Sequence, residues 1–169
     1  AIRLAENETA RVGIRTDIKT QAISHVVELS SRHSSWGVNT SGLGGRSLTR
    51  GIASAVTAFA RTSSLADAAA TAIANACFVK DDAIVQVMAQ KIDPLTDIRG
   101  IPVTVKVGQL KETSVIQAME KAMKKAEQYM GMGIIQGALV AVGNEFLLTH
   151  GFNERIAPLK FVCPQTQDY

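Results

Sequence analysis

The sequence has little cysteine, few aromatic residues and no leader pattern. Its two cysteines, Cys77 and Cys163, are far apart, so neither belongs to the CxxC spacing of zinc sites and redox motifs. No basic region followed by an apolar core marks a signal peptide at the N-terminus. These absences predict a cytoplasmic protein in a reducing compartment, with two chemically inert thiols.

The net charge is small, and the apolar runs are short. Lys and Arg number 18 against 15 Asp and Glu, a balance of +3, and no basic stretch is interleaved with aromatic residues as in a nucleic-acid-binding surface. The longest uncharged apolar stretch, 130–142, is shorter than the roughly 20 residues that cross a bilayer. The sequence therefore predicts a soluble protein with neither nucleic acid nor a membrane as a partner.

Hydrophobic residues make up 46% of the chain, which is enough for one globular core. Their periodicity predicts strands at 10–15, 22–29, 36–40, 55–60 and 102–107, an alanine-rich helix that follows the capping residues Ser63 and Ser64 and runs to about 77, a short helix from 80 to about 90, a surface helix at 113–130, and a hairpin of 134–142 and 145–149. Strands and helices do not alternate regularly. The predicted class is α+β, with a mixed or antiparallel sheet packed against helices.

One domain is predicted over 1–149, followed by a C-terminal extension, 150–169. The chain starts without Met, inside a predicted strand at Ile2–Leu4, so we expect part of the protein to precede it, lost by truncation or processing or supplied by a separate polypeptide. A strand edge left open in this way predicts an oligomer.

The segment TSGLGGRSLTRG, residues 40–51, is too rich in glycine and hydroxyl residues to build a core. Its backbone N–H groups and hydroxyls are groups that bind phosphate, and Arg46 and Arg50 would add charge-assisted hydrogen bonds. The segment matches neither GxxxxGK[ST] nor GxGxxG. By itself it predicts either a ligand-binding loop or a long turn.

Asp67 and Thr71 lie four residues apart on the predicted alanine-rich helix, so their oxygens share one face and could bind a hard cation such as Mg²⁺. Two oxygen ligands would make only half of such a metal site. In the alternative interpretation, Asp67 favours the helix N-terminus electrostatically and Thr71 bonds an earlier carbonyl.

Other polar residues show no spacing typical of metal sites or catalytic triads. We expect these residues to be structural or solvated: His25, His33, His150, Asp93, Asp97 and Arg99.

Six segments occur in one order along the chain: TSGLGGRS, GIASAVTAFA, LADAAATAIANA, IDPLTD, VTVKVG and GIIQGALVAVG. In this order they resemble the ApbE-like uncharacterised proteins of bacteria and archaea, distant relatives of the ApbE flavin transferases. The resemblance covers 1–149 and is most specific from Thr40 to Ala76. Because those proteins have an additional N-terminal helix and an Asn-Gly-Gly-Asp-Ile segment, it implies an ApbE-like domain whose missing part comes from a partner chain or a cleavage product.

The resemblance also implies site residues. In ApbE enzymes a D-A-x-x-T motif binds Mg²⁺ beside the diphosphate of FAD, and the matching residues here run from Asp67 to Thr71. It implies Mg²⁺ on Asp67 and Thr71, and FAD or FMN as a further cofactor. The ligand-binding residues that it implies are Thr40, Ser41, Gly42, Gly45, Arg46 and Ser47, with Arg46 in place of the His of a G-H-S sequence.

Three functions follow as expectations. The first is an ApbE-like enzyme, or a subunit of one, that binds a diphosphate, a flavin or another small anionic ligand at the loop from Thr40 to Ser47, with Mg²⁺ on Asp67 and Thr71 and with loop N–H groups stabilising the phosphoryl group. The second is a hydrolase or transferase of a small metabolite on the same fold. The third is a non-catalytic flavin-binding or assembly subunit that is completed by a partner chain.

Overall fold

The structure is a computed structural model that describes residues 1–16, 22–32, 35–45, 47–150, 152 and 156–158. Its elements in chain order are β1 (Ile2–Arg3), β2 (Thr9–Ile14), β3 (His25–Ser30), β4 (Ser35–Ser41), β5 (Ala55–Ala60), α1 (Ser63–Ala76), β6 (Ile84–Met88), a 3-10 turn (Ala89–Lys91), β7 (Pro102–Val107), α2 (Glu112–Gly131), β8 (Gly137–Val142), β9 (Glu145–Leu148) and β10 (Ile156–Pro158). All strand pairs are antiparallel. The α+β class is confirmed.

A central five-stranded sheet has the order β1-β4-β5-β8-β9. Its middle strand, β5, is buried along its whole length. Because successive side chains of a strand point to opposite faces, Val56 and Ala58 pack in the core beneath the helices, whereas Ala55 and Phe59 belong to the core on the other face. The sheet is thus covered on both sides.

One face of the central sheet is covered by α1 and α2. The inner side of α1 is built of alanines and Ile73, and such small side chains let the helix approach the strands closely. Its first turn is capped by the Thr62 hydroxyl, which accepts a hydrogen bond from Leu65 N–H at 3.3 Å. The predicted serine cap was therefore placed too late, and the helix itself is confirmed.

The opposite face is covered by a second sheet of order β10-β3-β2. Between the two sheets lies an aromatic and aliphatic core that includes Trp36, Phe59 and Leu29. Phe152, beyond the predicted domain boundary, is buried in the same core, and its ring lies 4.7 Å from that of Phe59.

A third, two-stranded sheet pairs β6 with β7. The predicted short helix at 80–90 was wrong, because Ile84–Met88 is a strand with a register shift between Val85 and Gln86. The β-branched residues Ile84, Val85 and Val87 favour this extended form, and β7 supplies the hydrogen bonds. The hairpin at Gly143 and Asn144 is confirmed by the pairing of Val142 with Glu145. None of the helices that the structure describes is long and apolar enough to cross a membrane.

The carboxylate of Asp81 joins this small sheet to α2. One oxygen accepts a hydrogen bond from Ala83 N–H at 2.9 Å, and the other accepts bonds from the Ser114 hydroxyl at 2.6 Å and from Lys111 N–H at 3.3 Å. Lys111, the N-cap residue of α2, makes no side-chain cap of its own. The Ser114 hydroxyl, followed by the backbone N–H groups, lowers the pKa of Asp81.

We predict that Asp81→Asn lowers the free energy of unfolding at pH 7, because the amide is a weaker acceptor for these donors. A carboxyl group whose pKa is lowered by folding stabilises the folded state above its unfolded pKa and loses that effect as pH falls through its folded pKa. The stability difference between wild type and variant should therefore be largest near neutral pH and shrink below about pH 4. Urea unfolding at several pH values measures this difference.

The exposed neighbour Asp82 is the control, since Asp82→Asn should change the free energy of unfolding little. A stability difference for Asp81→Asn that stays constant down to pH 2.5 would contradict the role assigned to the Asp81 carboxylate.

Candidate functional site

A cavity of about 310 Å³ opens between the central sheet and β2. On the side of the central sheet, the cavity is lined by three residues with hydroxyl groups, Thr40, Thr57 and Ser54. The turn that follows β4 contributes Gly44 and Gly45, and the end of β2 contributes Arg15. The described lining residues include one cation and no carboxylate, imidazole or thiol, so the cavity is electrostatically suited to an anion.

Thr40 and Thr57 form a cross-strand pair at the wall of this cavity. They are direct partners in the β4–β5 register, and their hydroxyl oxygens lie 2.8 Å apart. Thr57 is only 2% exposed, and Thr40 is exposed. Each hydroxyl carries one proton. The pair uses one of the two protons internally, which leaves one donor for a ligand.

Ser54 has a more structural role at the same wall. Its N–H donates to Ala141 O at 2.9 Å, and its hydroxyl donates to the carbonyl oxygens of Thr16 and Ala141, each at 3.1 Å. The single hydroxyl proton is therefore shared between β8 and the segment after β2. Ser54 holds the cavity wall together and has no further proton to donate to a ligand.

Arg15, directly after β2, supplies the positive charge, and its side chain is exposed. Sequence reasoning missed Arg15, Ser54 and Thr57. For Thr57 a signal existed, because it is the only polar residue of the otherwise apolar segment AVTAFA. For Arg15 there was none, since only the packing of one sheet on the other brings it beside Thr40.

The first half of the predicted loop is a tight turn. Gly42 has φ +125°, and a Cβ there would lie 2.8 Å from Ala53 O. The N–H groups of Leu43, Gly44 and Gly45 donate to Ala53 O, Ser54 O and Gly42 O at 2.9, 3.1 and 3.0 Å. These amides were expected to bind phosphate, but Leu43 and Gly44 use theirs to bond the segment before β5, and Gly45 uses its amide within the turn. These three amides are therefore not available to a ligand.

The second half of the loop is clamped between α1 and the small sheet. The Asn75 side-chain oxygen accepts hydrogen bonds from Arg50 N–H at 2.9 Å and the Thr49 hydroxyl at 3.2 Å. On the other side, the Thr104 hydroxyl and the Gln86 side-chain amide donate to Arg50 O, each at 2.9 Å. The backbone of the loop is thereby held on both sides.

The predicted ligand residues do not all converge. Thr40 and Gly45 line the cavity, Ser41 is buried at the end of β4, Gly42 forms the turn, and Ser47 is exposed. Arg46 lies outside the described residues. Of the five predicted ligand residues that the structure describes, two therefore line the cavity.

The predicted metal ligands lie apart from this cavity. Asp67 is exposed on α1, Thr71 is half-buried, and neither side chain forms a hydrogen bond with a described residue. The helix packs on the face of the central sheet that carries Val56 and Ala58, whereas Thr57 and its partner Thr40 belong to the other face.

The surroundings of Asp67 fit a metal poorly. Across the described residues, no three His, Cys, Asp or Glu side chains are grouped as metal ligands. Asn75, one turn beyond Thr71, is already bonded to the loop. One carboxylate and one hydroxyl supply fewer oxygens than Mg²⁺ binds, so the remaining ligands would have to come from a bound molecule or water. The Mg²⁺ site stays a prediction.

The remaining titratable candidates have structural surroundings. The ring of His25 packs against Phe146 at 4.4 Å, and burial lowers its pKa. Asp93 accepts a hydrogen bond from Leu95 N–H, and Arg99 donates to Pro94 O, so both stabilise their own loop. Burial raises the pKa of Cys77 to about 12, which keeps this thiol protonated at neutral pH. His33 and Cys163 lie outside the described residues.

Fold and site together define an α+β protein of three layers, with helices on one face of a central sheet, a second sheet on the other, and an anion-suited cavity between the sheets. The family model described as AbpE bacteria (AbpE_bact) matches residues 1–148, and the chain belongs to this family. The resemblance to ApbE-like proteins was therefore wrong, because the matching family is not one of ApbE or FMN transferases. No curated protein and no solved structure matches the chain.

We predict that Gly51→Ala destabilises the protein by more than about 2 kcal/mol, because the new methyl group would overlap the carbonyl oxygen of Ala74 on α1. Gly131 is a matched control at the end of α2, where a Cβ meets nothing within 4 Å. Gly131→Ala should be neutral or stabilising by up to about 1 kcal/mol. Urea denaturation measures both, and equal stability of the two variants would show that the loop does not lie against α1 as described.

A second prediction tests Asp67 as a metal ligand. Asp67→Asn keeps the side-chain size but removes the charge that a hard cation needs, so any Mg²⁺-dependent rise in melting temperature should disappear while the metal-free fold is retained. Asp82→Asn, at another exposed carboxylate, should keep the Mg²⁺ response. If Asp67 serves only the helix N-terminus, its variant should lose about 0.3–1 kcal/mol with or without Mg²⁺, and that result would exclude the metal role.

Proposed function

We propose that this protein binds a small anionic ligand, such as a phosphate-bearing metabolite, in the cavity between the central sheet and β2. The observation that carries the proposal is the lining itself. Arg15 provides the charge, the Thr40–Thr57 pair provides one free hydroxyl proton, and no acidic side chain of the described lining opposes an anion. Arginine binds phosphate and carboxylate through several directed donors.

The size of the cavity supports a ligand smaller than a flavin. Its volume of about 310 Å³ lies at the lower end of the range for small-molecule sites. Its described lining contains no aromatic side chain that could stack on a flavin ring. FAD and FMN were expected only from the resemblance to ApbE-like proteins, and we do not propose them here.

The function proposed for this cavity is the binding of a ligand. General acid or base catalysis needs a group that exchanges a proton near neutral pH, and the described lining residues offer none. The hydrolase or transferase alternative would need such a group from another chain or from residues outside the description. The same lining fits a non-catalytic binding subunit that a partner chain completes.

We predict that Arg15→Gln weakens the binding of pyrophosphate or inorganic phosphate by about 1.5–3 kcal/mol, or roughly 10- to 150-fold, as is usual for a hydrogen bond to a charged group. Isothermal titration calorimetry measures the affinity. Arg11→Gln is the matched control, because Arg11 is an exposed cation on β2, the strand that directly precedes Arg15, but does not line the cavity. Thr57→Val tests the hydroxyl pair and should weaken binding less than Arg15→Gln. Wild-type affinity in Arg15→Gln, or equal losses in both arginine variants, would contradict the site.

A further inference from the structure

β9 forms an edge of the central sheet among the described strands. The two-residue turn pairs Glu145 with Val142, and Leu147 pairs with Val140. In an antiparallel hairpin the hydrogen-bonded residues alternate, so the N–H and C=O groups of Phe146 and Leu148 point away from β8. Natural sheet edges usually carry lysine, proline or a bulge that prevents further pairing. The sequence of β9, EFLL, has none of these.

A groove of about 540 Å³ runs between this edge and α2. Its apolar surface comes from Val115, Ile116 and Met119 on the helix and from Leu147 on the strand. Phe146 also borders the groove, but its side chain packs in the core on the other face of the sheet. Ile116 is 49% exposed and Leu147 is 44% exposed. Two large aliphatic side chains thus remain in water beside backbone groups that have no strand partner among the described residues, an arrangement typical of a binding surface.

The charged residues of the groove are all acidic. Glu112, Glu120 and Glu145 line it, and the described lining contains neither lysine nor arginine. The chain as a whole carries +3, so the local excess of carboxylates does not follow from overall composition. An acidic rim around an apolar floor complements a ligand that is both apolar and basic.

We propose that this groove binds an extended basic peptide segment of a partner protein, which pairs with β9 as a sixth strand of the central sheet. Main-chain hydrogen bonds to Phe146 and Leu148 would provide affinity. Alternate apolar side chains of the peptide would cover Ile116 and Leu147, and its lysines or arginines would meet the three glutamates. This is strand addition to an open sheet edge.

The acidic charge of the groove also argues against a second copy of this chain as its occupant. If two β9 strands paired about a twofold axis, the acidic rims of both grooves would lie at one interface, and like charges at close range oppose association. A basic segment removes this repulsion. The proposal concerns another surface than the anion cavity and does not depend on it.

The test uses the full chain and a fluorescein-labelled ten-residue peptide of alternating lysine and valine, with binding followed by fluorescence anisotropy. Glu120→Lys and Leu147→Ser should each weaken binding at least about tenfold. Val105→Ser is the matched control, since Val105 is 47% exposed on β7, outside the groove, and should leave the affinity unchanged. Circular dichroism melts of the variants establish that each is folded.

Two N-methylated peptides separate strand addition from general hydrophobic or ionic attraction. Methylation of alternate amides blocks one edge of a strand and leaves the other free. One of the two methylation patterns should abolish binding while the other retains it. Equal affinity of both methylated peptides, or equal affinity of a glutamate-valine peptide, would overturn the proposal. Concentration-dependent dimerisation in light scattering that Leu147→Ser abolishes would also overturn it, in favour of a second copy.

Discussion

The burial of β5 on both faces is the constraint on which the rest of the structure depends. Every residue of Ala55–Ala60 is buried, so both sides of the strand must find a covering layer. Its small residues allow this on the helical side, where the alanine face of α1 packs directly on the sheet. The other side requires the second sheet, whose Val27 and Leu29 close the core around Phe59.

Close packing also determines where the loop after β4 can run. Gly51 lies against the backbone of α1 so tightly that a methyl group would overlap Ala74. Asn75 fixes Arg50 N–H from the helix, and Thr104 fixes Arg50 O from the small sheet. The loop is therefore held in place where it lies against α1, and its other end borders the cavity. The amides of 43–45 and of Arg50 serve the fold, and the side chains proposed to contact a ligand belong to neighbouring segments.

The two proposed surfaces differ in the charge of the ligand that they suit. Near Thr40 the described lining has Arg15 and hydroxyls, whereas the groove at β9 has three carboxylates. A net charge of +3 would have suggested a weakly charged surface with little preference. The separation arises because side chains from distant parts of the chain meet at each surface: β2 with β4 at the cavity, and α2 with β9 at the groove.

Local patterns in the sequence were sufficient to predict α1, α2, the hairpin at Gly143 and the α+β class, because periodicity and turn residues act over only a few positions. Local sequence was misleading at 84–88, where pairing with β7 determines the strand, and at the 40–51 loop, where the amides of 43–45 bond to the segment before β5 and within the turn. The resemblance to ApbE-like proteins placed Thr40 and Asp67 in one site. Only the tertiary structure separates them, because side chains that alternate along a strand face opposite layers, and which layer covers each face is determined by contacts between residues far apart in the chain.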